Sequence, residues 1–271
     1  MAFNKDRHMQ VDSGIAVEKT GEGIFQITLN RPERLNALGV DMVEALQAAI
    51  ADAVADRSRV VVVRGTGRAF CAGADLKERR TMDEAARVAH NRAINMAVDA
   101  LAAAPMPTIC VINGLAMGGG CEIALACDLR YAAEDAQIGL TEARIGAIPG
   151  AGGTQRMPRV VGAARALELM LTGEPVNGKR AEEIGLVNAA LAADNLDAHV
   201  ERIARLIASR SPTGEQTIKR LVYRGIEATL AEGLAQERAA LKQVLTSADY
   251  AEGLDAFAAK RRAHFGAGTA T

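Results

Sequence analysis

The apolar positions along the chain change their period, and the changes divide it into strands, helices and glycine-rich loops. Residues 14–30, GIAVEKTGEGIFQITLN, set two apolar runs around a TGEG turn and predict a pair of strands. Pro32 marks a loop in RPERLNAL. Val43, Leu46, Ile50 and Val54 then recur at helical spacing and predict a helix over Val40 to Ala55. RVVVVRG at 59–65 is an unbroken β-branched run, as in a strand covered on both faces. A glycine-rich loop, TGRAFCAGADLKERR, follows it. Residues 83–103 predict a helix, PTICVING at 107–114 a buried strand, and GGGCEIALACD a helix opened by glycines. LRYAAEDAQIGL at 129–140 predicts short strands, and TEARIGAIPGAGGTQR a loop with a little helix. From 162 the pattern is almost wholly helical, with GLVNAAL at 185–191 as a last short strand. Residues 2–13 are expected to be a loose polar tail.

Repeating strand–strand–helix units with helices outside predict an α/β core. The amphipathic helices beyond about residue 200 form a further layer of the kind that covers a neighbour or builds an oligomer. We therefore divide the chain into a core at 11–198 and a C-terminal helical oligomerisation region at 199–271.

Composition narrows the function. The chain has 271 residues, 49% of them hydrophobic, which is enough for one large core. Its formal net charge is −1 and no block of Lys and Arg stands out, which argues against nucleic acid or an anionic membrane as partner. No apolar run reaches the ~20 residues of a membrane span. The first residues carry charges without an apolar stretch, so no export signal is read there. Cys71, Cys110, Cys121 and Cys127 form no C-x-x-C pair and have no His beside them. They are expected to be buried thiols in a reducing compartment, with no metal, and the cytoplasm is the expected location. Trp is absent and aromatics are scarce, which leaves little for stacking bases.

The chemistry concentrates in NGLAMGGGCEIALACD, residues 113–128. Gly118, Gly119 and Gly120 stand where a strand gives way to a helix, whose first N–H groups have no internal partner and carry the positive end of its dipole. Without side chains, a substrate oxygen can come close to those amides. Glu122 lies one turn beyond Gly119 on the same face, among apolar neighbours. A carboxylate beside anion-stabilising amides suggests proton transfer next to a polarised carbonyl; the plain alternative is a solvated or capping glutamate. The CAGADLK loop at 71–77 offers a second amide near Ala74, while Asp75 there has the plain role of capping the next helix. Glu142 is a second carboxylate, for which capping or an ion pair with Arg144 is the alternative. Two carboxylates can divide acid and base roles.

The segments LNRPERLNAL, FCAGADLKER, NGLAMGGGCEIALACD, LTEARIGAIPGAGGTQR and EGLDAFAAKRRAHF occur in the order seen in the enoyl-CoA hydratase (crotonase) family, and the chain resembles that family over roughly residues 14–265. GADLKER and GLTEARIGAIPG look closest to the 3-methylglutaconyl-CoA hydratase branch. The resemblance implies a spiral of ββα turns with a helical C-terminal trimerisation region, assembled as a trimer or a dimer of trimers. It implies a thioester carbonyl held by the amides of Ala74 and Gly119. It implies a water oriented and deprotonated by Glu122 and held by the amide of Gly150, and a proton delivered to C2 by Glu142. The coenzyme A part of the substrate would be gripped around Arg34 and Leu35 and by Ala74, Asp75, Leu76 and Lys77. Phe257 and Lys260 would add contacts from a neighbouring subunit. No other cofactor is implied. One departure is Leu140-Thr141 before the second glutamate, where many relatives carry Gln-Pro; it bears on the acyl group preferred.

Rival readings are weaker. GEPVNGKR at 173–180 lacks the Ser/Thr of a P-loop, GTGRAF at 65–70 lacks the third glycine of a dinucleotide fingerprint, and no G-x-S-x-G is present. His8, His90, His199 and His264 are expected to lie away from the glycine-rich loops, as packing or surface residues. Within the family, an isomerase would work mainly through one acid/base group. A non-catalytic RNA-binding or scaffold role is the reading from a different class.

Overall fold

The computed structural model describes residues 9–266. Strands β1 (Met9–Asp12), β2 (Ile15–Lys19) and β3 (Ile24–Leu29) form an antiparallel meander. The tail expected at residues 2–13 is thus corrected over 9–12: Ser13 and Gly14 both adopt positive φ, 45° and 89°, the two-residue hairpin geometry that folds β1 back onto β2. Residues 1–8, His8 among them, lie outside the described residues. After a 3₁₀ turn at Pro32–Arg34, helix α1 (Val40–Ala55) buries Met42, Val43, Leu46, Ala49, Ile50 and Ala53. Val54, assigned to the apolar face from its spacing, is instead 40% exposed.

From there the chain alternates between two sheets. β4 (Val60–Gly65) enters the larger sheet and β5 (Ala69–Cys71) the smaller one, before α2 (Leu76–Arg79) and α3 (Glu84–Ala103). β6 (Thr108–Ile112), β7 (Leu115–Met117) and α4 (Gly119–Ala126) repeat the step. β8 (Leu129–Ala133) and β9 (Gln137–Gly139) follow, then a 3₁₀ turn at Glu142–Ile145, α5 (Gly153–Val161) and α6 (Ala163–Thr172). β10 (Val176–Asn177), α7 (Gly178–Glu183) and β11 (Ala189–Leu191) close the series. The result is a seven-stranded sheet in the order β1-β2-β3-β4-β6-β8-β11, parallel from β3 onward, and a four-stranded sheet in the order β10-β9-β7-β5. From β4 to β9, each turn of the spiral contributes one strand to each sheet and then a helix.

The Val60–Val63 run is buried on both faces, as its β-branched composition requires. β5, within the stretch read as a glycine-rich loop, and β7 are strands of three residues. At that length alternation cannot be seen in sequence, and the pairing β5·β7·β9 alone defines them. The C-terminal layer comprises α8 (Ala193–Ala208), which lays Leu196, Val200, Ala204 and Ala208 against the large sheet, and α9 (Pro212–Gly225), α10 (Leu230–Val244) and α11 (Ala248–Ala258). All four cysteines are free and buried; burial pushes the Cys71 thiol up to about 12. Among the described residues no helix is long and apolar enough to cross a membrane.

Candidate active site

The small sheet decides where the chemistry sits. β5, β7 and β9 run parallel, so their C-terminal ends open on one side and their following loops meet there. Between those loops and α3 lies a cleft of about 430 Å³, lined by Ala74, Gly119, Glu122, Glu142 and Gly150 among others. Five positions singled out in the sequence therefore face one space.

Two amides enter it. A single parallel bridge joins Leu38 to Ala74: Leu38 N–H donates to Gly73 C=O at 2.8 Å, and Asp75 N–H donates to Leu38 C=O at 3.0 Å. That pattern uses the groups on either side of Ala74 and not its own N–H, and Ala74 lines the cleft. Gly119 opens α4, so its N–H is an unpaired helix donor. The two loops touch backbone to backbone. A Cβ on Gly73 would lie 2.8 Å from Met117 O and 3.2 Å from Gly119 N, and one on Gly119 would lie 3.8 Å from Ala74 N. Gly73 has φ +88° and Gly118 φ +51°, which glycine adopts without strain. Two aligned amides at the start of a helix can bind an oxygen that gains negative charge.

Both carboxylates stand beside them. Glu122 is 3% exposed. Its Oε1 accepts the amides of Ala151 at 2.6 Å and Gly153 at 2.9 Å, the latter being the first residue of α5 and so the positive end of that helix. Burial raises its carboxyl above the ordinary range, against the pull of those amides and of Arg156 and Arg79. Glu142 opens the 3₁₀ turn, close enough that a Cβ on Gly118 would sit 2.9 Å from its Oε1. Its Oε2 is buried without a hydrogen-bond partner. Burial raises this carboxyl too, opposed by its own backbone amide and by Arg79, while the charge of Glu122 pushes it further up. The expected alternative of a Glu142–Arg144 ion pair is not formed: Arg144 binds Glu174 at 2.6 Å. Neither glutamate is a plain capping residue.

The remaining candidates divide. Asp75 caps α2, accepting from Lys77 N at 3.1 Å and Glu78 N at 3.2 Å, and binds Arg34 at 3.0 Å. Burial would raise its carboxyl, but the Glu78 amide, Arg34 and the Lys77 amide outweigh this and hold it below the ordinary value. Such a group contributes stability above the unfolded pKa and loses it as pH falls through the lower folded value. Asp75→Ala is expected to cost about 1–2 kcal/mol at neutral pH, and less in acid, in urea melts across pH. Leu76 lines the cleft, Lys77 is exposed, and Leu35 takes a left-handed conformation (φ +52°) at the end of the first 3₁₀ turn. Phe257 is 86% exposed on α11, with Lys260 exposed just beyond it; neither lines the cleft of its own chain. Of the pair departing from the family pattern, Thr141 lines the cleft, whereas Leu140 is fully buried behind it.

Sequence reasoning missed a polar group on the facing side. Arg79, at the end of α2, lines the cleft. Its Nε donates to His90 Nδ1 at 3.2 Å and its Nη2 to Asn91 Oδ1 at 3.3 Å. Burial lowers its pKa, and the charges of Glu122 and Glu142 oppose that. His90 is 3% exposed and lies directly behind the site rather than away from it. The sequence hint was the absence of an apolar residue at 90 and 91, on a helix that otherwise turns Ile94, Ala97, Val98 and Leu101 inward. The glycine motifs at 65–70 and 173–180 have plain roles. The first is a strand-to-strand turn; in the second, Asn177 caps α7 by accepting from Arg180 N at 2.8 Å, and Lys179 pairs with Glu134.

An α/β spiral with backbone amides and two glutamates gathered at the ends of its parallel strands is arranged to stabilise negative charge on an oxygen and to move protons beside it. The chain belongs to the enoyl-CoA hydratase/isomerase family, whose model matches residues 19–268. It is 43% identical over 256 residues to the Bos taurus enoyl-CoA hydratase domain-containing protein 2, mitochondrial, covering 92% of this chain and 86% of that one. It is 37% identical to the enoyl-CoA isomerase/hydratase fer4 of Mycosarcoma maydis, covering 90% and 92%. Among solved structures, an enoyl-CoA hydratase from Bacillus anthracis superimposes with a TM-score of 0.90 at 40% identity, covering 93% of this chain and 98% of that one.

Proposed function

We infer that the protein hydrates 2-enoyl-CoA thioesters reversibly to 3-hydroxyacyl-CoA. The observation that carries this reading is the placing of two glutamates and two unpaired amides around one cleft. The amides of Ala74 and Gly119 receive the thioester oxygen, which draws electrons from the double bond and makes C3 electrophilic. Water adds to C3 and passes a proton to Glu122. Charge gathers on the thioester oxygen as an enolate, and Glu142 protonates C2. The environments support these roles: Glu122 has two amide donors and Arg156 in favour of its ionised form, whereas Glu142 has an unpartnered oxygen and a negative neighbour in favour of its protonated one. In this reading the amide of Gly150, which lines the cleft, helps to hold the water. Coenzyme A enters only as part of the substrate, and no metal or redox cofactor is called for by these steps.

Arg34, Leu35, Asp75, Leu76 and Lys77 sit on the loops that would grip the coenzyme A moiety. The exposed Phe257 and Lys260 suit a neighbouring subunit's site in a homotrimer or a dimer of trimers, and Ile226, Leu230 and Leu254 give the helical layer apolar surface for such an assembly. Four buried free thiols support a reducing compartment and a cytoplasmic location.

Mixing the protein with crotonyl-CoA and following the loss of enoyl-thioester absorbance tests the reading. A bell-shaped pH dependence of kcat/KM is expected, falling in acid as Glu122 is protonated and in base as Glu142 is deprotonated. Burial moves both limbs up from ordinary carboxylate values, and the two midpoints belong to the coupled pair. A branched acid substrate, 3-methylglutaconyl-CoA, is the second reading. It is favoured by Arg79, a cleft guanidinium without a salt bridge among the described residues. Activity on that ester with little on crotonyl-CoA would select it. Migration of a 3-enoyl double bond without hydration would select the isomerase. RNA binding with no turnover would select the non-catalytic reading, which the net charge of −1 disfavours.

A further inference from the structure

Glu122 is held through a peptide that is itself gripped from behind. The carbonyl of Gly150 and the N–H of Ala151 belong to one peptide plane and, across a trans bond, point opposite ways. At one end Ala151 N–H donates to Glu122 Oε1 at 2.6 Å. At the other, Gly150 C=O accepts from Asn95 Nδ2 at 2.6 Å and from Asn91 Nδ2 at 3.3 Å, both on α3. The Asn95 amide is fixed in orientation, since its NH₂ also donates to Asn91 C=O at 3.0 Å and both its partners are acceptors. The next peptide is tied down as well: Ala151 C=O accepts from Arg156 Nη1 at 2.9 Å, and Arg156 binds Asp99 of α3 at 2.7 Å.

We propose that Asn95 is a positioning residue for Glu122, acting through the Gly150–Ala151 peptide to aim and strengthen the N–H that holds the carboxylate. This rests on the hydratase reading for its effect on turnover. A carbonyl that accepts strong bonds polarises its peptide, so the N–H on the same plane becomes a better donor to an anion. The grip also stops the loop from turning that N–H away. The titratable and charged groups facing Glu122 are Glu142 from the 3₁₀ turn, Arg79 from α2 and Arg156 from α5 with its partner Asp99, besides the adjacent Cys121. Asn95 itself is uncharged, so its replacement alters none of these charges.

The test uses Asn95→Leu, close in size and without donors, Asn95→Gln, which keeps an NH₂, and Met96→Leu on the exposed face of α3 as control. The readout that does not need turnover is the ¹³C titration of the Glu122 carboxyl in labelled full-length protein, assigned with Glu122→Gln. N95L is expected to raise that midpoint by roughly half a pH unit. N95Q should restore most of it and M96L leave it unmoved. In parallel, N95L is expected to lower kcat on crotonyl-CoA about tenfold with a small change in KM, its acid limb moving up with the carboxyl. An unmoved Glu122 midpoint in folded N95L overturns the proposal whatever the activity. Should the wild type hydrate no enoyl-CoA, the hydratase reading falls, and the titration still decides whether Asn95 acts on Glu122. If N95L does not fold, Asn95→Ser, too short to reach Gly150, takes its place under the same two criteria.

Discussion

Glu142→Gln is expected to lower hydration by a factor on the order of 10³ and at the same time to make the folded protein more stable. The loss follows from the role given to this carboxyl, the proton donor to C2; an amide has no proton of that acidity to give. Glu122→Gln is expected to lose activity on the same scale, because an amide cannot take the proton of the attacking water. The gain in stability comes from burial. Glu142 has its carboxyl raised by desolvation and by Glu122, with one oxygen unpartnered. A carboxyl whose folded pKa is raised favours the fold most below its unfolded pKa and loses that advantage as pH rises through the folded one. At neutral pH the wild type therefore carries a penalty that Gln lacks. Thermal melts from acid to neutral pH should show a flatter Tm profile for E142Q, with Tm at pH 7 higher by roughly 2–4 °C for each kcal/mol relieved. Equal melts with lost activity would leave the catalytic role standing and remove the argument from burial.

Gly73→Ala is expected to strike the proposed oxyanion site without touching either glutamate. The new Cβ would meet Met117 O at 2.8 Å and Gly119 N at 3.2 Å, both backbone atoms, at a residue whose φ of +88° already disfavours a side chain. Relief requires the loop after β5 to part from the loop after β7, which separates the amides of Ala74 and Gly119. Hydration should fall about 10²–10³-fold, the usual effect of one lost oxyanion donor. Stability should fall by about 1–3 kcal/mol from the overpacking. The separation of kcat from KM is informative here, since the amides act most strongly on the charge that develops during reaction. A variant that folds, binds crotonyl-CoA and keeps wild-type kcat would show that these amides do not hold the thioester oxygen.

What could be read from sequence followed local physics. The β-branched run at Val60–Val63, the helical spacing of Val43, Leu46 and Ile50, and the glycines opening a helix before Glu122 each carry their signal within a few residues. The meeting of Ala74, Gly119, Glu122 and Glu142 does not arise locally. It depends on β5, β7 and β9, three strands of three residues whose pairing makes their loops neighbours. Family resemblance carried that knowledge where periodicity could not. Arg79, His90, Asn91 and Asn95 stayed hidden because their meaning depends on how α2 and α3 lie across the cleft. Met9–Asp12 became a strand through a hairpin whose only sequence mark is Ser13-Gly14.

Incubating the protein with crotonyl-CoA in ¹⁸O-labelled water and analysing the product by mass spectrometry tests the central claim most directly. The account predicts 3-hydroxybutyryl-CoA carrying one ¹⁸O at C3, formed by the wild type and by neither E122Q nor E142Q. Crotonyl-CoA bound but never converted to ¹⁸O-labelled 3-hydroxybutyryl-CoA by the wild type, or full labelling by either glutamine variant, would contradict it.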